Sequence, residues 1–119
     1  MAMMEEGQIA DIAAGPARPL PVAFERSELN RILDLYGRMV AAGEWRDYAI
    51  DGGREEAVFA VFRRASEGPL FRIVKRPRSA GRQGPYAVIA MDGRVLRRGR
   101  DLRSVLTLFE RRLIRLVDR

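Results

Sequence analysis

Two apolar stripes of helical period stand near the ends of this chain, with short strand-like runs between them. That order limits the fold more than any other feature. The first stripe is Leu29, Ile32, Leu33, Tyr36 and Val40, recurring at i, i+3, i+4, i+7 and i+11. Ser27 ahead of it is a good N-cap, Glu28 suits a first turn, and Gly43 suits the position just past a helix end. The pattern predicts a helix from about Glu28 to Ala42, with Gly37 inside it costing about 1 kcal/mol against Ala. The second stripe is Leu102, Val105, Leu106, Phe109, Leu113, Leu116 and Val117, with Asp101 placed to cap it.

Between the stripes, Glu44 to Asp51 reads as a turn entering a short strand, and Gly52-Gly53 as the next turn. Glu56 to Arg64 is the strongest strand pattern. Ser66 to Pro69 makes a loop, and Leu70 to Arg76 makes a further strand. Pro77 to Pro85, with its Gly, Pro and Arg residues, suits neither strand nor helix. Tyr86–Met91 and Arg94–Arg98 flank Asp92-Gly93, the pair that a two-residue type I′ hairpin turn demands. The expected fold is an α+β two-layer sandwich: an antiparallel four- to five-stranded meander flanked by an N-terminal and a C-terminal helix. Residues 1–23 hold Pro16, Pro19 and Pro21 and no sustained period, and read as a disordered leader closing on Leu20, Val22 and Phe24. Residues 24–119 read as one domain. Trp45, the only Trp, reads as a core or interface anchor.

Pairing Ala65 with Leu70 across the loop would set Arg63 opposite Arg72, Val61 opposite Val74 and Phe59 opposite Arg76. Val58, Ala60, Phe62, Phe71 and Ile73 would then face the core. Phe59, Arg63 and Arg72 would form a candidate platform on the open face, since Arg interleaved with an aromatic can hold single-stranded nucleic acid. Cover by the leader, another strand or a second subunit is the more economical reading, because central strands are commonly buried. A homodimer is one such cover.

Charge then narrows the partner. Residues 72–100 carry 8 Arg and Lys75 against the single acid Asp92, a net of +8, whereas residues 1–71 sum to −4. Of the 22 basic residues 21 are Arg, and Arg grips phosphate bidentately. Two clusters stand out as candidate anion- and nucleic-acid-binding residues. Lys75, Arg76, Arg78 and Arg82 lie in or beside the Pro77–Pro85 loop. Arg97, Arg98 and Arg100 lead into the last helix, whose N-terminus attracts anions. The chain has no His and no Cys. This removes thiol nucleophiles, imidazole bases and thiolate metal sites, and no carboxylate constellation replaces them. The reading is therefore no enzyme, no cofactor and no metal. The longest apolar run, Ala57 to Phe62, is too short to cross a bilayer. No secretory signal pattern is visible, so a cytoplasmic location is expected.

The runs Glu28–Asp51 and Val58–Glu67, the segment Gln83-Gly84-Pro85-Tyr86, and Leu96–Leu102 resemble an uncharacterised family of small alphaproteobacterial proteins, domain-of-unknown-function family 2794. The resemblance covers about residues 24–117. It implies a bacterial protein and carries no activity or site residue. The charge distribution points to a small module that binds RNA or DNA through phosphates. The alternative is a non-catalytic adaptor or regulator that meets an acidic protein through the same basic face.

Overall fold

The computed structural model describes residues 20–79, 81 and 83–117. Its elements run α1 (Arg26–Ala41), β1 (Asp47–Gly52), β2 (Ala57–Phe62), β3 (Phe71–Lys75), β4 (Tyr86–Ala90), β5 (Val95–Gly99) and α2 (Leu102–Val117). The strands form one antiparallel sheet in the order β1-β2-β3-β4-β5. Both helices pack on the same face, so the class is α+β. Most of the leader expected over residues 1–23 falls outside the described residues. At its end, Val22 pairs with Gly53 and Phe24 is buried in the core.

The first helix begins ahead of Ser27, because Glu25 and Glu28 make a capping box in which Glu28 Oε1 accepts the Glu25 N–H at 2.7 Å. It ends as expected at Gly43, whose φ is +79°. There the Gly43 N–H reaches Val40 O and the Glu44 N–H reaches Met39 O, both at 2.9 Å, the Schellman pattern. The buried face differs from the expected stripe. Ile32, Leu35 and Met39 are buried, while Val40 is 39% exposed. The apolar arc of this helix is wide, and the sheet and α2 together select its centre.

The strand pairing corrects the sequence reading more deeply. Phe59 pairs with Ile73 and Val61 with Phe71, a slip of three residues from the Ala65–Leu70 register. A 3-10 turn at Ala65–Glu67 and Gly68 at φ +79° lengthen the loop. An odd slip exchanges the faces. Ala57, Phe59 and Val61 therefore point into the core beside Ile73, which the sequence reading also placed there, and Val58, Ala60 and Phe62 turn to the face without helices. The energetic reason is visible in the pairs themselves. The expected register set Arg63 directly opposite Arg72, a like-charge pair that opposes pairing. The observed one sets Arg72 between Ala60 and Ile89.

The β4–β5 hairpin stands at Asp92-Gly93, with a different turn. The Gly93 N–H bonds Ala90 O and the Ala90 N–H bonds Arg94 O, so Met91, Asp92 and Gly93 make a three-residue loop with Gly93 at φ +92°. Asp92 steadies it by accepting the Arg94 N–H at 3.0 Å. In α2, Asp101 Oδ1 accepts the Ser104 N–H at 2.8 Å, and Leu102, Val105, Leu106 and Phe109 are buried. Trp45 is 3% exposed, with its ring edge-on to Phe109 at 4.9 Å between centroids. It is the anchor where α1, the sheet and α2 meet.

Candidate nucleic-acid interface

The basic residues of the second half sit where β5 forms the outer edge of the sheet. Arg97 pairs with Val88, on the helix side, and its Nη1 donates to Thr107 Oγ1 of α2 at 2.9 Å. That bond fixes the guanidinium against the helix. Arg98 pairs with Ala87 and belongs to the opposite face. A register shift at Val88/Ile89 bends the edge, as bulges at sheet edges do. Arg100 follows the strand and is exposed. Gly99 lets α2 lie close, since a Cβ there would stand 3.1 Å from Val105 Cγ1.

The end of the loop, Gln83–Pro85, is held against this edge. The Arg76 N–H bonds Pro85 O at 2.7 Å and closes the loop at its base. Gly84, at φ +92°, packs so tightly on the Gly99 carbonyl that a Cβ would collide with it. Loop and strand thereby join around one shallow groove of about 660 Å³, lined by Gln83, Val95, Leu96, Arg97, Arg98, Gly99 and Arg100. Three of these seven are Arg and none is an acid. Arg78 is exposed in a 3-10 turn of the loop, Pro77–Ser79. Arg82 lies outside the described residues.

The acids of this half are all engaged elsewhere. Between residues 72 and 117 they are Asp92, Asp101 and Glu110. Asp92 takes Arg94, Asp101 caps α2, and Glu110 takes both terminal nitrogens of Arg38 at 2.7 and 3.0 Å, which ties α1 to α2. The hydrogen bond from Arg38 outweighs burial and holds the Glu110 carboxyl below the usual range. Among the described residues no carboxylate forms an ion pair with Arg97, Arg98 or Arg100.

Two candidate binding residues take structural posts instead. Lys75 turns inward: its Nζ donates to Glu28 Oε1 at 2.8 Å and to Ala23 O at 3.0 Å, and its side chain is 13% exposed. The Tyr86 hydroxyl donates to the other oxygen of Glu28. Burial opposes charge on Glu28, but the bonds from Lys75, Tyr86 and the Glu25 N–H outweigh it and leave the carboxyl low. Burial first, then Glu28, pushes the Tyr86 phenol up. Sequence reasoning missed this cluster. The one available signal was that Lys75 is the sole lysine. Arg76 is compensated by Glu56, with Nε to Oε1 at 2.6 Å.

The platform of Phe59, Arg63 and Arg72 is not assembled. Phe59 is fully buried beneath α1 and stacks on Tyr48 at 5.0 Å. Arg63 lies beyond the end of β2, and Arg72 alone lies on the helix-free face. The slip in register is the cause.

A family model, described as a protein of unknown function (DUF2794), matches residues 22–106, and the chain belongs to that family. No curated protein and no solved structure matches it. Among the described residues no helix is long and apolar enough to cross a membrane.

Proposed function

We propose that this family member binds nucleic acid through phosphates, non-catalytically and in the cytoplasm, using the groove at the β5 edge. The observation that carries the reading is the groove's lining: Arg97, Arg98 and Arg100 with Gln83, and no carboxylate. A guanidinium offers a planar fork to a phosphate, and the Gln83 amide can serve a sugar or a base edge. Arg97, already oriented by Thr107, loses less freedom on binding than a loose side chain. The exposed Arg78 extends the track along the loop. The groove is shallow and offers no aromatic among its lining residues. Contacts would therefore be to the backbone, and sequence preference weak.

The test is fluorescence anisotropy with labelled single- and double-stranded RNA and DNA, from low to physiological salt. Affinity is expected to fall linearly on a log–log plot, each phosphate contact contributing a slope of about −0.9 on duplex DNA and about −0.7 on a single strand. Arg78→Glu with Arg100→Glu should weaken every ligand alike and flatten the slope by about 1.4–1.8. The fold should survive, because both residues are exposed outside the strands. Failure of all four ligands to bind at low salt refutes the reading. Loss of a co-purifying acidic protein in the same variant would assign the groove to that partner instead.

A further inference from the structure

The β1 edge of the sheet, opposite the β5 groove, is open. All six residues of β1 are exposed, Tyr48 at 45% and Ile50 at 47%. Across the β1–β2 turn the Gly53 N–H bonds Glu56 O at 2.9 Å. Backbone groups alternate in direction along an antiparallel strand. Asp47, Ala49 and Asp51 therefore turn theirs to β2, and Tyr48 and Ile50 turn theirs outward. Among the described residues no hydrogen bond from outside the sheet reaches either one. Natural sheets blunt such an edge with bulges, charges, proline or a covering segment. The β5 edge has its register shift at Val88/Ile89, its arginines, and Gly84 against Gly99. β1 pairs with β2 in unbroken register, and its only charges are Asp47 and Asp51.

The helix beside this edge leaves an apolar border. Leu33, Tyr36 and Val40 follow one another at three and four residues along one side of α1. Leu33 and Tyr36 are half-buried and Val40 is exposed. The Tyr36 ring meets Tyr48 edge-on at 4.9 Å, so this side of α1 borders β1. Tyr48 and Ile50 lie on the helix side of the sheet, since they pair with the buried Val61 and Phe59. Asp47 and Asp51 lie on the other side, paired with Phe62 and Val58. Among the described residues no cation forms an ion pair with either carboxylate.

We infer that the β1 edge receives an extended basic–apolar segment of another protein as a sixth, antiparallel strand. The outward backbone groups of Tyr48 and Ile50 supply its hydrogen bonds. Its residues opposite Tyr48 and Ile50 are apolar and lie beside the Leu33–Tyr36–Val40 border. Those opposite Asp47 and Asp51 are lysine or arginine, because opposite charges across a strand pair attract. The recognised pattern is thus five residues long: cation, apolar, any, apolar, cation. A second copy of β1 fits less well. It would bring four carboxylates to one seam, and neither β1 nor β2 holds a basic residue to answer them. The inference is independent of the β5 groove, which lies at the opposite edge.

The test is an NMR titration of the full chain with the acetylated, amidated peptide Lys-Val-Ser-Val-Lys. Binding should move the amide signals of Tyr48 and Ile50 and slow their hydrogen exchange, with α2 and β5 unmoved. Methylating the two valine nitrogens removes the donors that meet β1 and should abolish binding. Exchanging both peptide lysines for glutamate should weaken binding at these amides about tenfold, the worth of two cross-strand charge pairs. Asp47→Lys with Asp51→Lys should reverse that preference, and the fold should survive because both residues are exposed. Equal affinity for the two peptides, undiminished binding of the methylated one, or no shift at Tyr48 and Ile50 overturns the proposal. So does protection of these two amides that rises with protein concentration in the absence of peptide, which would give the edge to a second copy.

Discussion

Lys75→Met separates a structural lysine from a binding one. The substitution removes the ammonium that donates to Glu28 Oε1 and Ala23 O and leaves a stem of similar length. The pair is well shielded, with side chains 13% and 11% exposed. Breaking a buried pair by deleting one partner costs about 3–5 kcal/mol. Glu28 here keeps two donors, the Tyr86 hydroxyl and the Glu25 N–H, and water reaches the rim. That lowers the expected cost to about 2–3 kcal/mol. For a domain of this size the loss corresponds to a drop in Tm of about 10–20 °C. The pH dependence has a definite sign. Glu28 titrates lower in the folded chain than in the unfolded one. Its contribution is therefore complete above the ordinary carboxylate range and is lost as pH falls through the lowered value. Thermal and urea unfolding of both proteins should show a gap that is full at neutral pH and closes toward acid. Glu28→Gln with Lys75→Met should recover much of the loss, because no unpaired charge remains. Salt-dependent binding of nucleic acid should be unchanged, since Lys75 does not reach the groove. A gap under about 1 kcal/mol, or one that persists unchanged into acid, would refute the assignment.

Trp45→Ala should cost about 3–5 kcal/mol by opening a cavity between Phe109 and Tyr36. The native indole should emit at the wavelength of a buried ring, and emission typical of exposed Trp would contradict its place. Gly84→Ala should cost about 2–4 kcal/mol, from strain at positive φ and from collision with the backbone of Gly99 and Arg100. Its amide shifts should concentrate on Val95–Arg100 and its nucleic-acid affinity should fall. Shifts confined to the loop would show that the loop does not rest on β5.

What could be read from the chain was local in origin. Asp101 caps its helix because its own side chain reaches the N–H three residues on, and Leu102 to Val117 follows from period alone. Gly43 stops the first helix because the stop needs a left-handed residue at that place. Asp92-Gly93 marks its hairpin through the same freedom, although the loop takes three residues where two were expected. The arginines of the β5 edge were visible as a run of charge. What they line was not, since Gln83 and Gly84 reach that edge only through the fold. The tertiary structure decided the rest. Side chains alternate along a strand, so an odd slip between β2 and β3 turns every residue of β2 to the other face, while Phe71 and Ile73 of β3 keep theirs. No local rule separated a hairpin closed at Ala65 from the longer loop. Only the simultaneous burial of Phe59, Ile73 and Val88 beneath two helices, with Arg72 freed from Arg63, selects the register. Lys75 was equally ambiguous: its charge was plain in the sequence, but its partner Glu28 stands 47 residues away and meets it only when α1 crosses the end of β3.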